Sequence, residues 1–253
     1  MKTLVAYVLH EYNSRVQAFL HNGIFKDDNV DFIIICNNKK IFLPEIDYIK
    51  VIKRDNIGFD FGGWSEGIMT NDLYKNYDNF IFVNSSVIGP YLPSYYKGKW
   101  TDVYLQGLND KVKLFGSTIN FPQTHILKYF YNKDFTEEDR LNYIHLQSYI
   151  FAMNRETLDY LIEKELFSVT KYVNGFFEAV KEKEIKMSRL IIENSWNIGC
   201  LHQAYKDVDF TFKTPQKVEL INEDVMFPEY LNKLWTLYEL VFVKGNRFDG
   251  TSH

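Results

Sequence analysis

Residues 54–64, RDNIGFDFGGW, and residues 80–91, FIFVNSSVIGPY, decide how this chain is read. Each belongs with an apolar run that reads as a buried strand, and each sets small polar residues where that strand ends. Open α/β sheets bind ligands in the crevice outside such strand ends. The pair therefore points to a nucleotide-sugar site. In the first segment Gly58, Gly62 and Gly63 open φ > 0 conformations and let backbone amides approach a ligand closely. Asn56 and Asp60 flank Gly58, where an amide and a carboxylate can bond a base edge or ribose hydroxyls. A helix beginning near Trp64 would turn its N-terminus toward the same crevice. A Gly-rich strand-to-helix turn with a capping Asp fits these residues equally well. The GxGxxG fingerprint is missing, so a Rossmann assignment is not implied. In the second segment Asn84, Ser85 and Ser86 directly follow Phe80, Ile81, Phe82 and Val83, and Gly89 and Pro90 turn the chain away.

Outward from these segments, 253 residues suffice for one large domain, or one domain with a small appended lobe, around a sizeable core. The net charge of -4 supplies no basic field for nucleic acid. Aromatic residues make up 17% of the chain; most must be core, while Tyr and Trp at a cleft offer faces for base or sugar stacking. Cys36 and Cys200 lie in apolar runs that read as strands, which suggests buried reduced thiols and a reducing compartment. The first apolar stretch is interrupted by His10 and Glu11, too early for a signal peptide, and no membrane-length run follows. A soluble cytoplasmic protein is expected.

The pattern predicts strands at Leu4–Leu9, Asp31–Cys36 and Tyr48–Lys53, a helix over Ser14–Phe25, a helix after Trp64, and a strand at Phe80–Val83. This β-α-β-β-α-β order suits an α/β fold with a mostly parallel central sheet flanked by helices. Residues 1–95 read as the nucleotide-sugar-binding half. Beyond them, strands near Val103–Leu105 and Val112–Phe115 and helices around Glu156–Glu165 and Phe177–Glu193 read as a smaller acceptor-side lobe, residues 96–253.

An NxGxD loop followed by a strand ending in Asn, small polar residues and a GP turn resembles the rhamnan-synthesis F-like glycosyltransferases and the transferase domains of large algal DNA viruses. HLQSYIFAMNRETLDYL (145–161), EIKMSRLIIENSWNIGCL (184–201) and LYELVFVKGNR (237–247) resemble further blocks of that family in the same order. The resemblance implies a GT-A fold enzyme that moves a hexose, rhamnose by analogy, from a UDP- or dTDP-sugar to a glycan or glycoprotein acceptor. A viral member would act in the host cytoplasm. Two other readings remain: a degenerate domain that binds nucleotide sugars without turnover, and a nucleotidyltransferase of similar topology.

In the sheet reading, strand ends gather on one edge, so His10, Tyr12, Asn37, Asn38, Arg54, Asn56, Gly58 and Asp60 are assigned to the donor nucleoside. His10 could equally be a structural hydrogen-bonder, and Asn37 and Asn38 could form a turn. Many GT-A enzymes hold a divalent cation on a DxD motif. Here Asn84, Ser85 and Ser86 occupy that position, so Mn²⁺ or Mg²⁺ would bind weakly through Asn84 and Ser86 with help from donor phosphates. Asp78 belongs at the opposite sheet edge. Lys244 and Arg247 are the cations available for the diphosphate. Glu184, which matches a Glu-x-x-x-Ser family block with Ser188, is the candidate base, the alternative being a solvated face of the charged stretch KEKEIK. His145, Gln147 and Ser148 are assigned to the acceptor, with a strand cap as the alternative role for His145.

Overall fold

The computed structural model describes residues 1–214, 216, 219–222 and 224–248. Strands β1 (Thr3–Leu9), β2 (Val30–Cys36), β3 (Lys50–Lys53) and β4 (Asn79–Asn84) are followed by β5 (Val87–Ile88), β6 (Val112–Gly116), β7 (Ile119–Asn120) and β8 (His145–Leu146). β9 (Ile150–Asn154), β10 (Asn197–Cys200) and β11 (Val243–Lys244) complete the set. Seven of these form one sheet in the order β10-β6-β9-β4-β1-β2-β3. β1 to β4 run parallel, and β9 enters antiparallel between β4 and β6. The mostly parallel sheet expected from the sequence is present. Within residues 96–253, β6, β9 and β10 extend this same sheet, and β7 pairs antiparallel with β8 in a separate two-stranded sheet.

The helices are α1 (Ser14–Asn22), α2 (Phe59–Met69), α3 (Trp100–Leu105), α4 (Thr124–Tyr131), α5 (Arg155–Glu163), α6 (Phe176–Ala179), α7 (Lys186–Glu193) and α8 (Leu237–Leu240). A π-helical stretch, Val180–Ile185, joins α6 to α7 without a break. Three sequence expectations change. Residues 103–105 are helical, not extended: Lys99 and the Asp102 side chain cap the start of α3, and Trp100 anchors it by donating its indole N–H to Gly23 O at 2.7 Å. The helix expected near Trp64 starts five residues earlier, at Phe59. The first helix stops at Asn22, where the Gly23 N–H bonds Phe19 O.

The start of α2 depends on two glycines. Gly58 adopts φ +73, and a Cβ there would lie 2.6 Å from the Tyr172 ring. A Cβ on Gly63 would lie 2.8 Å from Val8 and 2.9 Å from Asn37, so the helix can approach β1 closely only without one. Trp64 then fixes the helix on the sheet. Its ring packs edge-on against Phe82 at 5.5 Å and Phe151 at 5.3 Å, and its N–H donates to Ala6 O at 3.1 Å. The other sheet face buries Tyr7, stacked on Phe19 at 4.0 Å, with Trp100 and Phe242. Among the described residues no helix is long and apolar enough to cross a membrane. Cys36 and Cys200 are free and buried.

Candidate functional site

β1 and β4 pair side by side, with Val8 opposite Asn84, so both strands end at one crevice. Asp60, in the first turn of α2, reaches across to Asn84. The Asn84 amide donates to Asp60 Oδ2 at 2.9 Å, and its carbonyl oxygen accepts the Ser86 N–H at 3.0 Å and the Ser86 hydroxyl at 2.5 Å. α2 thus delivers a carboxylate to a strand end whose own Asn84, Ser85 and Ser86 carry none. Asp60 keeps some surface open but is surrounded by protein, and burial pushes its carboxyl up to about 6. His10, the Asn84 hydrogen bond and Lys244 oppose that rise, while Glu184 adds to it. Residues distant in sequence thus act on one carboxylate.

A stability effect follows from the raised value. Between about pH 4, where an unfolded Asp titrates, and about pH 6, the folded state holds the proton more tightly, so this group's contribution to stability falls as pH rises. Asp60→Asn keeps the Asn84 contact without the charge. The variant is expected to be about 1–2 kcal/mol more stable than wild type at pH 7, raising Tm by a few degrees, with the gain shrinking toward pH 4. Thermal unfolding at both pH values measures it; a gain independent of pH would show that Asp60 is not strained by burial.

Arg54, Asn37 and Asn38, expected at the donor, are engaged within the protein itself. Arg54 is buried; its Nε and Nη2 bond both oxygens of Glu66 at 2.8 and 2.7 Å, Nη1 bonds Asn37 Oδ1 at 2.7 Å, and Nη2 bonds Ile57 O. Asn37, also buried, donates to Asn56 Oδ1 and Phe59 O. The two side chains hold the loop 54–59 from beneath, and Tyr172 adds a hydrogen bond to Glu66 at 2.8 Å. Asn38 forms a local turn by accepting the Lys40 N–H. His10, Tyr12 and Asn56 stay exposed at the rim. Asp78 immediately precedes β4 at the far edge, as expected, and accepts the Lys2 N–H.

The C-terminal segment reaches the same place by strand pairing. β11 lies antiparallel to β5 with Lys244 opposite Val87, and the Gly245 N–H donates to Ser86 O at 2.6 Å. Arg15 donates from α1 to Ser85 O at 3.2 Å. Lys244 is thereby brought to the Asn84–Ser86 turn. Arg247 points instead to Asp224 Oδ2 at 3.0 Å and lies over the Phe227 ring. Asp224 also accepts from Gln147 Nε2 at 3.0 Å, and Gln147 accepts from Thr118 at 2.8 Å. Sequence reading missed Asp224 and Arg15, since neither lies in a motif. The remaining terminal residues, 249–253, lie outside the described residues.

Glu184 does not lie on a solvated helix face. The π-helical stretch carries it inward, where Oε2 accepts the Ser148 N–H at 2.7 Å and the Ser148 hydroxyl at 2.5 Å. Its Oε1 stands 3.7 Å from His145 Nε2, while His145 Nδ1 lies 2.8 Å from Tyr143 O. Ser188, one turn on, accepts the Leu146 N–H at 2.9 Å. His145 and Gln147 are buried, at 2% and 4% exposure, so they support Glu184 and Asp224 and offer little surface to an acceptor; Ser148 is half-buried. The Asn84 N–H bonds Tyr149 O at 3.0 Å, which ties the Ser148 loop to the Asn84 turn.

No three His, Cys, Asp or Glu side chains among the described residues converge as metal ligands. The Asn84 oxygen proposed for a cation is already engaged by Ser86. Asp60 and the Ser86 hydroxyl fit a hard cation only as a partial set, completed by oxygens of a bound ligand.

The model of the family described as rhamnan synthesis protein F matches residues 33–230. The chain is 25% identical over 190 residues to virulence protein VirA of Vibrio anguillarum, covering 72% of this chain and 47% of that protein. It thus spans about half the length of the curated relatives it matches. A solved glycosyltransferase involved in glycosylation of the major capsid of PBCV-1 aligns with 95% of this chain and 93% of its own, at 10% identity and a TM-score of 0.40. The apo-form glycosyltransferase GlyE of Streptococcus pneumoniae TIGR4 aligns with 78% of this chain and 44% of its own, at 11% identity and a TM-score of 0.39.

Proposed function

The chain belongs to the rhamnan synthesis protein F family, and from that premise we propose that it is a glycosyltransferase taking a sugar from a nucleoside diphosphate. The observation that carries the reading is the Asp60–Asn84 contact at the ends of β1 and β4, with β11 bringing Lys244 to the same turn and the Glu184-bonded Ser148 loop tied to it through Tyr149. In this reading the nucleoside lies along the rim formed by His10, Tyr12, Asn56 and Gly58, with Asp60 turned to the ribose or to a cation. The diphosphate lies over the Asn84–Ser86 turn, where Lys244 offsets the charge that builds as the sugar departs. Rhamnose is the sugar suggested by the family description, UDP or dTDP is the nucleotide, and a glycan or glycoprotein is the acceptor.

Glu184 is the proposed base of an inverting transfer. Its Oε2 is held by Ser148, so Oε1 takes the proton of the acceptor hydroxyl. The acceptor oxygen bonds to the anomeric carbon as the bond from that carbon to the diphosphate breaks, and the diphosphate leaves with the electron pair. Arg247 acts through Asp224 and Gln147, holding the C-terminal segment against the Ser148 loop.

A thermal-shift screen of UDP- and dTDP-sugars, with and without Mn²⁺, tests the reading. A ligand at a hundred times its Kd adds about 2.7 kcal/mol of apparent stability. No shift with any nucleotide sugar or nucleoside diphosphate would sink it. A divalent cation would supply positive charge at the diphosphate, held by Asp60, the Ser86 hydroxyl and the donor's own oxygens. Transfer is therefore expected to stop in EDTA and return with Mn²⁺ or Mg²⁺; full activity in EDTA would leave Lys244 as the principal counter-charge.

The engaged Asn84 oxygen favours a second reading, a domain that binds nucleotide sugars without turnover. Calorimetric binding with no donor consumption would select it. A nucleotidyltransferase, the third reading, would need a metal-binding acidic pair to activate an NTP.

A further inference from the structure

An aromatic group stands in solvent beside this site. Tyr129, Phe176 and Phe177 are 70%, 61% and 52% exposed. Phe177 is the hub, with ring centroids 5.3 Å from Tyr129, 5.8 Å from Phe130 and 5.6 Å from Phe176, all edge-to-face. Burial does not account for these rings, since none of the three has the coverage of a core residue.

Two features tie the group to the proposed site. Phe177 and Glu184 stand seven residues apart on the continuous helix running from α6 through α7, a rise of about 10 Å. α4, which carries Tyr129 and Phe130, is seated by Leu127 on Tyr143 and Ile185, the close chain neighbours of His145 and Glu184. The group is therefore a rigid extension of the elements that present the base. Its surroundings also select among occupants. Of the nearby lysines, Lys128 pairs with Asp134 at 2.7 Å and Lys181 with Glu182 at 3.5 Å, while Lys133 lies over the Phe135 ring in a stretch that also carries Glu137 and Glu138, so no net positive field draws an anionic membrane. Exposed Asn132, Asn174 and Glu178 supply polar groups at the margin, suited to sugar hydroxyls.

We propose that Tyr129, Phe130, Phe176 and Phe177 form a carbohydrate platform that holds the acceptor chain a short distance from its attacking hydroxyl, so that the acceptor is an oligosaccharide or polysaccharide. The proposal rests on the glycosyltransferase reading of Glu184. The apolar C–H face of a sugar ring covers an aromatic face while its hydroxyls stay hydrogen-bonded to water and to the margin. Several rings on one rigid support contribute together, so a chain binds where a single sugar does not.

The test is saturation-transfer NMR with neutral tetra- to hexasaccharides, rhamno-oligosaccharides included, against the corresponding methyl monosaccharides. Wild type is expected to bind at least one oligosaccharide and none of the methyl glycosides comparably. Tyr129→Ala combined with Phe177→Ala is expected to weaken that binding by about tenfold. These side chains are exposed, so Tm should hold, and Phe177→Ser alone provides a milder variant. Equal affinity in the variants, no binding of any oligosaccharide by wild type, or a wild-type association with lipid vesicles or with itself that the substitutions abolish would overturn the proposal. Nucleoside diphosphate affinity, measured on the same samples, reports on the donor reading separately: its absence sinks that reading while the saccharide result stands on its own.

Discussion

Glu184→Gln is expected to lower sugar transfer by about a hundredfold or more while nucleoside diphosphate affinity stays within a few-fold of wild type. Gln keeps the length of the side chain and can still accept both Ser148 hydrogen bonds through its amide oxygen. What it loses is the second carboxylate oxygen, the one 3.7 Å from His145 Nε2, and with it the ability to take a proton. The split between catalysis and binding is the diagnostic feature. A fall in donor affinity matching the fall in rate would indicate that Glu184 binds the donor, and transfer within a few-fold of wild type would remove it from the reaction.

Arg54→Ala is expected to cost about 3–5 kcal/mol of stability, because it strands Glu66 without its bidentate partner and leaves Asn37 and the Ile57 carbonyl without a donor. At this chain length that is a fall in Tm of about 6 °C or more. Arg54→Lys should restore little of it, since an ammonium cannot reproduce the fork that meets both Glu66 oxygens and Asn37 together. Donor affinity should fall as a consequence of the loosened loop 54–59. Weakened donor binding at unchanged Tm would instead make Arg54 a direct contact, as its place in the sequence first suggests.

β1, β2, β4 and β6 were legible because each is a run of apolar residues with a clear end; β3 was placed correctly but lies mostly exposed at the sheet edge and not buried, and the two-residue strands β5, β7, β8 and β11 carry no such run. The start of α2 was not legible, because Gly58, Gly62 and Gly63 look like loop residues until the close approach to Val8, Asn37 and Tyr172 is seen. The stretch at 103–105 was misread for a related reason: an isolated apolar triplet carries no periodicity, and its helix is set by the cap at Lys99 and the burial of Trp100 and Tyr104.

Local pattern in the chain was enough to specify the α/β class, the polar strand ends at Asn37 and Asn84, and the ordered blocks that mark the family, since apolar runs and their ends need only neighbouring residues. Contacts between remote segments were decided by the tertiary structure alone. Asp60 meets Asn84 because Trp64 fixes α2 on the sheet; Lys244 meets both because β11 pairs with β5; Glu184 faces inward because a π-helical stretch turns it toward Ser148. Asp224 enters the network only through Arg247 and Gln147. Each of these depends on packing and charge between residues at least 23 positions apart in sequence, and no local period of the chain encodes such distances.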